Sequence, residues 1–266
     1  MKTILVMTDL AEGKENVLHY AVQLASQLQA VMVLTYVEEG VQVDREAVMH
    51  QLDALSVKLR EWAPKTMPKP LIKCRVEDGD FNATVKELIT ELKVDLVIMG
   101  ATDGKNHTGY LFGNKVRAMV EHITYPLLLI PEQVHFQPIK NILYVSDVRY
   151  MKINVINELI ALARPLGSHV AVLHVSTEGL PDMDDKMVRT LFVETISHYV
   201  KNQLPSLYNS NKKEAESTID RLTAGGKEGI LAIDHRKYHF FNHLFTDNPS
   251  ENAQIYKHLP LLLIPI

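Results

Sequence analysis

A glycine-rich segment between residues 99 and 116 has the residue types best suited to bind an anion. It precedes a stretch with helical periodicity, and its glycines are Gly100, Gly104, Gly109 and Gly113. Glycines let a backbone approach a bound group closely. Free amides at a helix N-terminus would then face the anion, with the helix dipole behind them. The segment therefore predicts an anion site with donors from the backbone of residues 114–116.

Two polar side chains flank this segment. Asn114 can cap the helix or donate its amide to a phosphate. Asp9 ends the first predicted strand, so it lies on the same rim and suits a ribose hydroxyl or an adenine edge. The segment matches neither a Walker loop nor the Gly-x-Gly-x-x-Gly fingerprint. A glycine-rich surface loop with an ordinary helix cap is the alternative interpretation.

A long repeat identifies the elements that position these residues. The frame from Gly100 to Pro131 spans 31 positions, as does the frame from Asp234 to Pro265, and both end in Pro-Leu-Leu-Leu-Ile-Pro. The first strands of the two halves also match, at an offset of 138 residues. A period this long indicates two whole domains.

Short apolar runs alternate with amphipathic helical stretches, and in the first half these runs are 4–7, 30–37, 71–76, 94–99 and 126–130. Such alternation predicts a parallel sheet covered by helices on both faces, with ligands at the carboxyl ends of the strands. We expect an α/β protein of two Rossmann-like domains, each an open five-stranded parallel sheet. Their predicted bounds are 1–132 and 140–266, on either side of a polar, proline-bounded linker.

The second half departs from the first at its third strand. Residues 217–222 look strand-like, and only the seven residues 223–229, three of them glycine, precede the next strand. A parallel connection normally needs a dozen or more residues. We therefore expect the second copy to lack its third helix, unless segment 217–222 pairs differently.

Composition excludes some function classes. The 266 residues carry a net charge of −4 and neither half has a basic stripe, which argues against a general nucleic-acid or anionic-membrane binder. Three histidines, His19, His107 and His122, have no serine or cysteine nucleophile in a recognisable turn, and no general base is evident. The sequence predicts binding rather than catalytic turnover.

The single cysteine and the apolar runs bear on location. Cys74 excludes a disulfide within the chain, and we interpret it as a packed strand residue rather than a redox thiol. No apolar stretch reaches the ~18 residues that cross a bilayer, and the run at residues 4–7 is too short for a signal peptide. A cytoplasmic location is expected.

A histidine-containing segment occupies the loop position in the second half. His235, His239 and His243 would share a face on a helix, which suits a transition metal. No carboxylate or cysteine completes a ligand set, so the sequence favours a polar or partner-facing segment and predicts no metal. Nearby aromatic residues are expected to cover the end of the sheet: Phe240, Phe241 and Phe245.

A strand ending in aspartate, a late Met-Gly-rich loop and the closing Pro-Leu-Leu-Leu-Ile-Pro together resemble the universal stress proteins, here in tandem. The resemblance covers nearly the whole chain. That family is similar in fold to the adenine nucleotide α-hydrolase-like class. Some members bind ATP through Gly-x2-Gly-x9-Gly-Ser/Thr and others bind no nucleotide.

The resemblance assigns roles in the first domain. Met99 precedes the loop, and Gly100 and Gly113 match the first and last family glycines. Asp103 stands at the middle glycine, with Gly104 one place late, and Asn114 stands at the Ser/Thr position. Asp9 matches the first-strand aspartate and Val37 the adenine-side residue. Lys115 follows Asn114, and Lys105 or a metal would offset the Asp103 carboxylate.

The resemblance implies ATP or ADP in the first domain, with Mg²⁺ as a companion ion, and a stress-linked sensing or regulatory role. In the second copy Asp234, Tyr238 and Asp247 replace the glycines, so no nucleotide is expected there. A tandem protein that binds no nucleotide and acts as an interaction module is the alternative. A third hypothesis is an enzyme that uses the nucleotide, such as a slow ATPase or a relative of the nucleotide α-hydrolases. The family also implies pairing of the final strands, as an intrachain pseudo-dimer or a homodimer.

Overall fold

A computed structural model describes residues 2–10, 15–40, 44–101, 114–121, 123–177, 179–196, 204–211, 213–223, 229–234 and 258–265, with the backbone alone at 114, 117, 118 and 121. The chain divides into two compact units, and it passes from the first to the second between Phe136 and Gln137. Each unit has its own parallel strands and helices.

The first unit alternates strands and helices as the sequence predicts. Its elements are β1 Thr3–Met7, α1 Glu15–Leu28, β2 Val31–Glu38, α2 Arg45–Trp62, β3 Ile72–Asp78, α3 Phe81–Leu92, β4 Leu96–Ala101, α4 Asn114–Glu121 and β5 Leu127–Pro131. The strands are parallel and their order is β3-β2-β1-β4-β5. This α/β architecture confirms the predicted fold class.

The strand order creates a switch point between β1 and β4. From β1 the chain moves outward to β2 and β3, and from β3 it returns across the sheet to β4 and β5. Helix α1 contacts α2, and α3 contacts α4, as expected if right-handed crossovers place each pair on its own face. The crevice at such a switch point is where open α/β sheets bind ligands.

One face of α1 packs into the core of the first unit. The buried residues of α1 include an apolar stripe at helical spacing: Leu18, Ala21, Val22, Ala25 and Leu28. The side chain of Asn16 fixes the start of this helix, since its Nδ2 donates to the carbonyls of Pro131 and Val134, at 3.1 and 3.2 Å. The first turn of α1 is thereby tied to the segment that follows β5.

The second unit repeats the pattern. Its elements are β6 Asn141–Ser146, α5 Ile153–Leu166, β7 His169–Val175, α6 Asp185–Ile196, β8 Ser206–Ser210, α7 Ala215–Leu222, β9 Gly229–Asp234 and β10 Leu261–Ile264. These strands are parallel, in the order β10-β9-β6-β7-β8. In neither unit is a described helix both long and apolar enough to cross a membrane.

The prediction of a missing third helix is wrong. Residues 217–222 belong to helix α7, and the third strand is β8, eleven residues earlier in sequence. Helix α7 buries Ala215, Thr218 and Ile219, which is a helical and not an alternating pattern. The sequence of β8 gives no clear strand signal, because this strand lies at the edge beside β7 and is mostly polar. With α7 in place, the crossover is long enough.

Sheet register supports the alignment of the two halves. Ile4 pairs with Leu96, and Ile142 pairs with Ile230, at the same step of the two sheets. Gly100 pairs with Ile130, as Asp234 pairs with Ile264. Asp234 therefore occupies in the second unit the sheet position that Gly100 occupies in the first.

Candidate functional site

Predicted site residues of the first unit lie on neighbouring strands. β1 stands between β2 and β4, so the carboxyl ends of these strands share one edge. Asp9 is exposed two residues beyond β1, and Val37 is buried near the end of β2. Met99 and Gly100 are consecutive residues near the end of β4. The structure thus brings four predicted residues to the edge at the switch point.

The helix predicted to receive the anion begins where the sequence indicates. Helix α4 starts at Asn114, of which the backbone is described. Lys115 is the second residue of this helix, and its side chain is exposed. Gly104 and Gly113 lie outside the described residues, as does Asp103. The first turn of α4 is the described part of the predicted phosphate site.

Gly100 has a packing role that its motif did not indicate. A Cβ added at this residue would lie 3.3 Å from Cγ2 of Val17, on the first turns of α1. That separation is tighter than most real contacts, so a side chain here would push against the helix. Glycine at position 100 therefore allows α1 to approach β4 closely.

Lys115 is engaged by residues that the sequence reasoning missed. Its Nζ lies 2.6 Å from Oε2 of Glu39 and 4.8 Å from the centroid of the Phe81 ring. The other oxygen of Glu39, Oε1, accepts a hydrogen bond from the Phe81 N–H at 3.1 Å. The available signal was position, because Glu39 directly follows β2 and so lies at the carboxyl edge.

The matching aspartate of the second unit is buried and satisfied from within. Oδ2 of Asp147 accepts from the Thr177 N–H at 2.8 Å. Its Oδ1 accepts from Nε and the backbone N–H of Arg149, at 2.9 and 3.1 Å. Burial acts to raise the pKa of Asp147, but these donors outweigh it and hold the pKa below its ordinary value.

His174 packs beneath this pair. Its Nδ1 accepts from the Val148 N–H at 3.2 Å, so this nitrogen carries no proton, and Nε2 lies 3.4 Å from Oγ of Ser176. Burial lowers the pKa of His174, although the Asp147 carboxylate opposes that shift. The neutral imidazole is therefore the form that this arrangement stabilises.

The Arg149 guanidinium completes the cluster. It donates to Oγ of Ser176 at 2.9 Å and to the carbonyl of Pro181 at 3.2 Å. Further along the edge, the hydroxyl of buried Tyr144 donates to Oδ2 of Asp234 at 3.3 Å. Val6 and Gly100 stand at those two positions in the first unit. Side chains of the chain itself thus occupy the carboxyl edge in the second unit.

Comparisons with known proteins identify the family of the first half of the chain. A family model of the universal stress protein family matches residues 1–131. The chain belongs, through its first half, to the universal stress protein family. The comparison with curated proteins gives no significant match.

Solved structures extend the fold likeness over both halves. A universal stress protein from Archaeoglobus fulgidus DSM 4304 is 14% identical and aligns with 99% of this chain and 96% of its own, with a TM-score of 0.67. A protein of unknown function from Pseudomonas aeruginosa PAO1 is also 14% identical, covering 100% of this chain and 92% of its own at 0.66. At 14% identity, similarity to these structures shows the fold alone.

Two further sequence interpretations concern metals and the thiol of this universal stress protein. Over the described residues, no group of three or more His, Cys, Asp or Glu side chains is placed to hold a metal ion. His235, His239 and His243 fall outside that part, as do Tyr238 and Asp247. Burial, with Asp53 nearby, raises the pKa of Cys74 to about 11, so the thiol is a poor nucleophile.

Proposed function

We propose that the first domain, residues 1–132, binds an adenine nucleotide, ATP or ADP, in a stress-linked sensing or regulatory role. The supporting observation is that Asp9, Val37, Met99 and Gly100 all lie at the carboxyl edge of β1, β2 and β4. This edge includes the switch point of the sheet, where open α/β proteins bind ligands.

Each part of the ligand has a chemical counterpart in this domain. The apolar side chain of Val37 suits the adenine face, and the exposed carboxylate of Asp9 suits the ribose hydroxyls. Phosphates suit the amides of Asn114 and Lys115 at the start of α4, together with Gly104 and Gly113. Mg²⁺ would accompany the phosphates and offset nearby carboxylates.

The second domain, residues 140–266, acts in this proposal as a built-in partner without nucleotide. Asp147 already accepts three N–H donors, from Thr177 and Arg149. Asp234 places a carboxylate where the first domain has a glycine. A nucleotide would have to displace the arginine and lie against that carboxylate, both of which oppose binding.

Calorimetric titration of the full chain with ATP and ADP, with and without Mg²⁺, tests the proposal. Binding is expected in the wild type. Asp9→Ala should weaken it about tenfold, because a hydrogen bond to a charged group is lost. Glu61→Ala is the matched control, since Glu61 is an exposed carboxylate near the end of α2 and away from the carboxyl edge.

Absence of heat and of any thermal shift at millimolar nucleotide would refute nucleotide binding and leave the interaction-module reading. Nucleotide that co-purifies with the protein, seen in the absorbance of the denatured supernatant, would support nucleotide binding.

We also propose a cytoplasmic location, in keeping with the single, unpaired Cys74. Pairing of the two final strands within one chain stays a prediction, which solution scattering tests.

A further inference from the structure

The carboxylate of Glu39 joins the starts of two helices at the proposed nucleotide edge. Oε1 accepts from the N–H of Phe81, the first residue of α3, at 3.1 Å. Oε2 lies 2.6 Å from Nζ of Lys115, the second residue of α4. One oxygen thus satisfies a helix N-terminus, and the other neutralises an ammonium group.

Lys115 is held from a second side by an aromatic ring. Its Nζ lies 4.8 Å from the ring centroid of buried Phe81, within the range of a cation–π contact. The side chains of Lys115 and Glu39 are 51% and 37% exposed, so solvent weakens their attraction without removing it. The charge of Lys115 is therefore compensated before any ligand arrives.

The other charges described around this edge are mainly negative. At and just after the ends of β1, β2 and β3, and at the N-caps and first turns of α2, α3 and α4, the basic side chains that the structure describes are Arg45 and Lys115. Nη1 of Arg45 lies 2.7 Å from Oδ2 of Asp78, so it too is paired. The described carboxylates there are Asp9, Glu38, Glu39, Asp44, Glu46, Asp78 and Asp80. Additional phosphates would meet no uncompensated cation among these side chains.

We propose that Glu39 is a specificity-determining residue that cancels the charge of Lys115 and so lowers the preference of this site for a longer phosphate tail over the adenine nucleoside alone. This inference rests on the proposed nucleotide function of the same site. The nucleoside is recognised at the Asp9 and Val37 end of the edge. At the phosphate end the Glu39–Lys115 pair is electrically neutral, so each added phosphate gains no net Coulomb attraction from it.

The test measures the affinities of adenosine, AMP and ATP for the full chain by calorimetry, in EDTA at fixed ionic strength. In the wild type, the ratio of ATP to adenosine affinity is the reference value, to which the amides at the start of α4 contribute but the neutral Glu39–Lys115 pair does not. Glu39→Gln should raise the ratio of ATP to adenosine affinity about fivefold, because Lys115 is then uncompensated. The glutamine oxygen still accepts from the Phe81 N–H, so the start of α3 is retained.

Two variants separate this effect from a general loss of negative charge. Glu46→Gln removes another exposed carboxylate of the same edge and should change the ratio less than about twofold, through screening by salt. In Glu39→Gln/Lys115→Gln the pair is again neutral, and the ratio should return to within about twofold of the wild type. Circular dichroism and thermal unfolding confirm that each variant is folded.

The outcomes distinguish this inference from the proposed function. If adenosine, AMP and ATP all fail to bind the wild type, the proposed function is wrong and the specificity role falls with it. If they bind but Glu39→Gln leaves the ratio unchanged, the role of Glu39 alone is overturned. The role of Glu39 is also overturned if Glu39→Gln/Lys115→Gln has a much lower ratio of ATP to adenosine affinity than the wild type. In that case Lys115 would already attract the phosphates in the wild type, despite Glu39.

Discussion

At the scale of single residues, the two first-strand aspartates differ in what surrounds them. Asp9 is exposed at the end of β1, whereas Asp147 is buried and accepts hydrogen bonds from Arg149 and Thr177. Position 11 of the first copy is alanine, where the second copy has Arg149. The second copy thus has an arginine bound to its aspartate, and the first copy has no arginine at the aligned position.

Removal of Arg149 should destabilise the second unit. Arg149→Ala leaves the buried Asp147 carboxylate without its guanidinium partner, and we expect a loss of about 2–4 kcal/mol in the free energy of unfolding. Urea unfolding followed by circular dichroism measures it. In the Asp147→Asn background the same substitution should cost much less, because no buried charge is left unpaired. An equal cost in both backgrounds would contradict the ion-pair explanation.

The buried imidazole makes the second unit sensitive to acid. The folded pKa of His174 lies below its ordinary value, because burial outweighs the carboxylates of Asp147 and Asp182 and Arg149 adds to the shift. The unfolded chain therefore binds more protons as pH falls below about 6.5, so stability should decrease there. The depressed pKa of Asp147 removes further stability only at lower pH, below about 3.9.

Urea midpoints between pH 7.5 and pH 5.5 measure the contribution of His174. His174→Asn keeps an acceptor for the Val148 N–H but cannot titrate, so its midpoint should change less over that range than the wild-type midpoint. A wild-type decrease that His174→Asn reproduces in full would assign the pH dependence to other groups.

At the scale of elements, β8 and α7 show why secondary structure near the edge of a sheet is hard to predict from the pattern of apolar residues. Central strands such as β4 and β9 are almost entirely buried, and their apolar runs predict them directly. Among the described strands β8 has β7 as its one neighbour, and it has the mostly polar sequence Ser-Leu-Tyr-Asn-Ser. Segment 217–222 contains Thr218 and Ile219 in a short run that suits either structure, and burial by the fold decides for the helix.

Alanine substitutions along α7 test this helical pattern. Ile219→Ala, at a fully buried site, should lower the free energy of unfolding by about 2–4 kcal/mol. Ser217→Ala and Arg221→Ala, at exposed sites, should stay within about 0.5 kcal/mol of the wild type. A strand would place residues 217, 219 and 221 on one face, so comparable losses at all three would contradict the helix.

The sequence predicts some parts of the candidate site and not others. Strand ends at Asp9, Val37 and Gly100 follow from buried apolar runs, which the sequence shows directly. The pair Glu39–Lys115 depends on how the fold brings the end of β2 to the start of α4, and the contact of Arg149 with Ser176 depends on how it brings the segments after β6 and β7 together. Such contacts leave no periodic signal, so the sequence could not predict them.

At the scale of the whole molecule, two copies of one fold carry different chemistry. The first unit keeps small or exposed residues at its carboxyl edge, including Gly100 and Asp9. In the second unit Arg149, Tyr144 and Asp234 fill the matching edge with side-chain hydrogen bonds. A ligand should therefore stabilise only one unit, and that asymmetry is measurable in the full chain.

The single tryptophan makes this measurement selective. Trp62 lies in α2 of the first unit, so its fluorescence reports the unfolding of that unit, whereas circular dichroism reports both. An adenine nucleotide at about 100 times its Kd should raise the free energy of unfolding seen by Trp62 by about 2.7 kcal/mol. Inorganic phosphate at the same concentration should have little effect, because it lacks the nucleoside. The nucleotide could instead shift an unfolding transition that circular dichroism detects and Trp62 fluorescence does not. That result would place the site in the second unit and contradict the proposal.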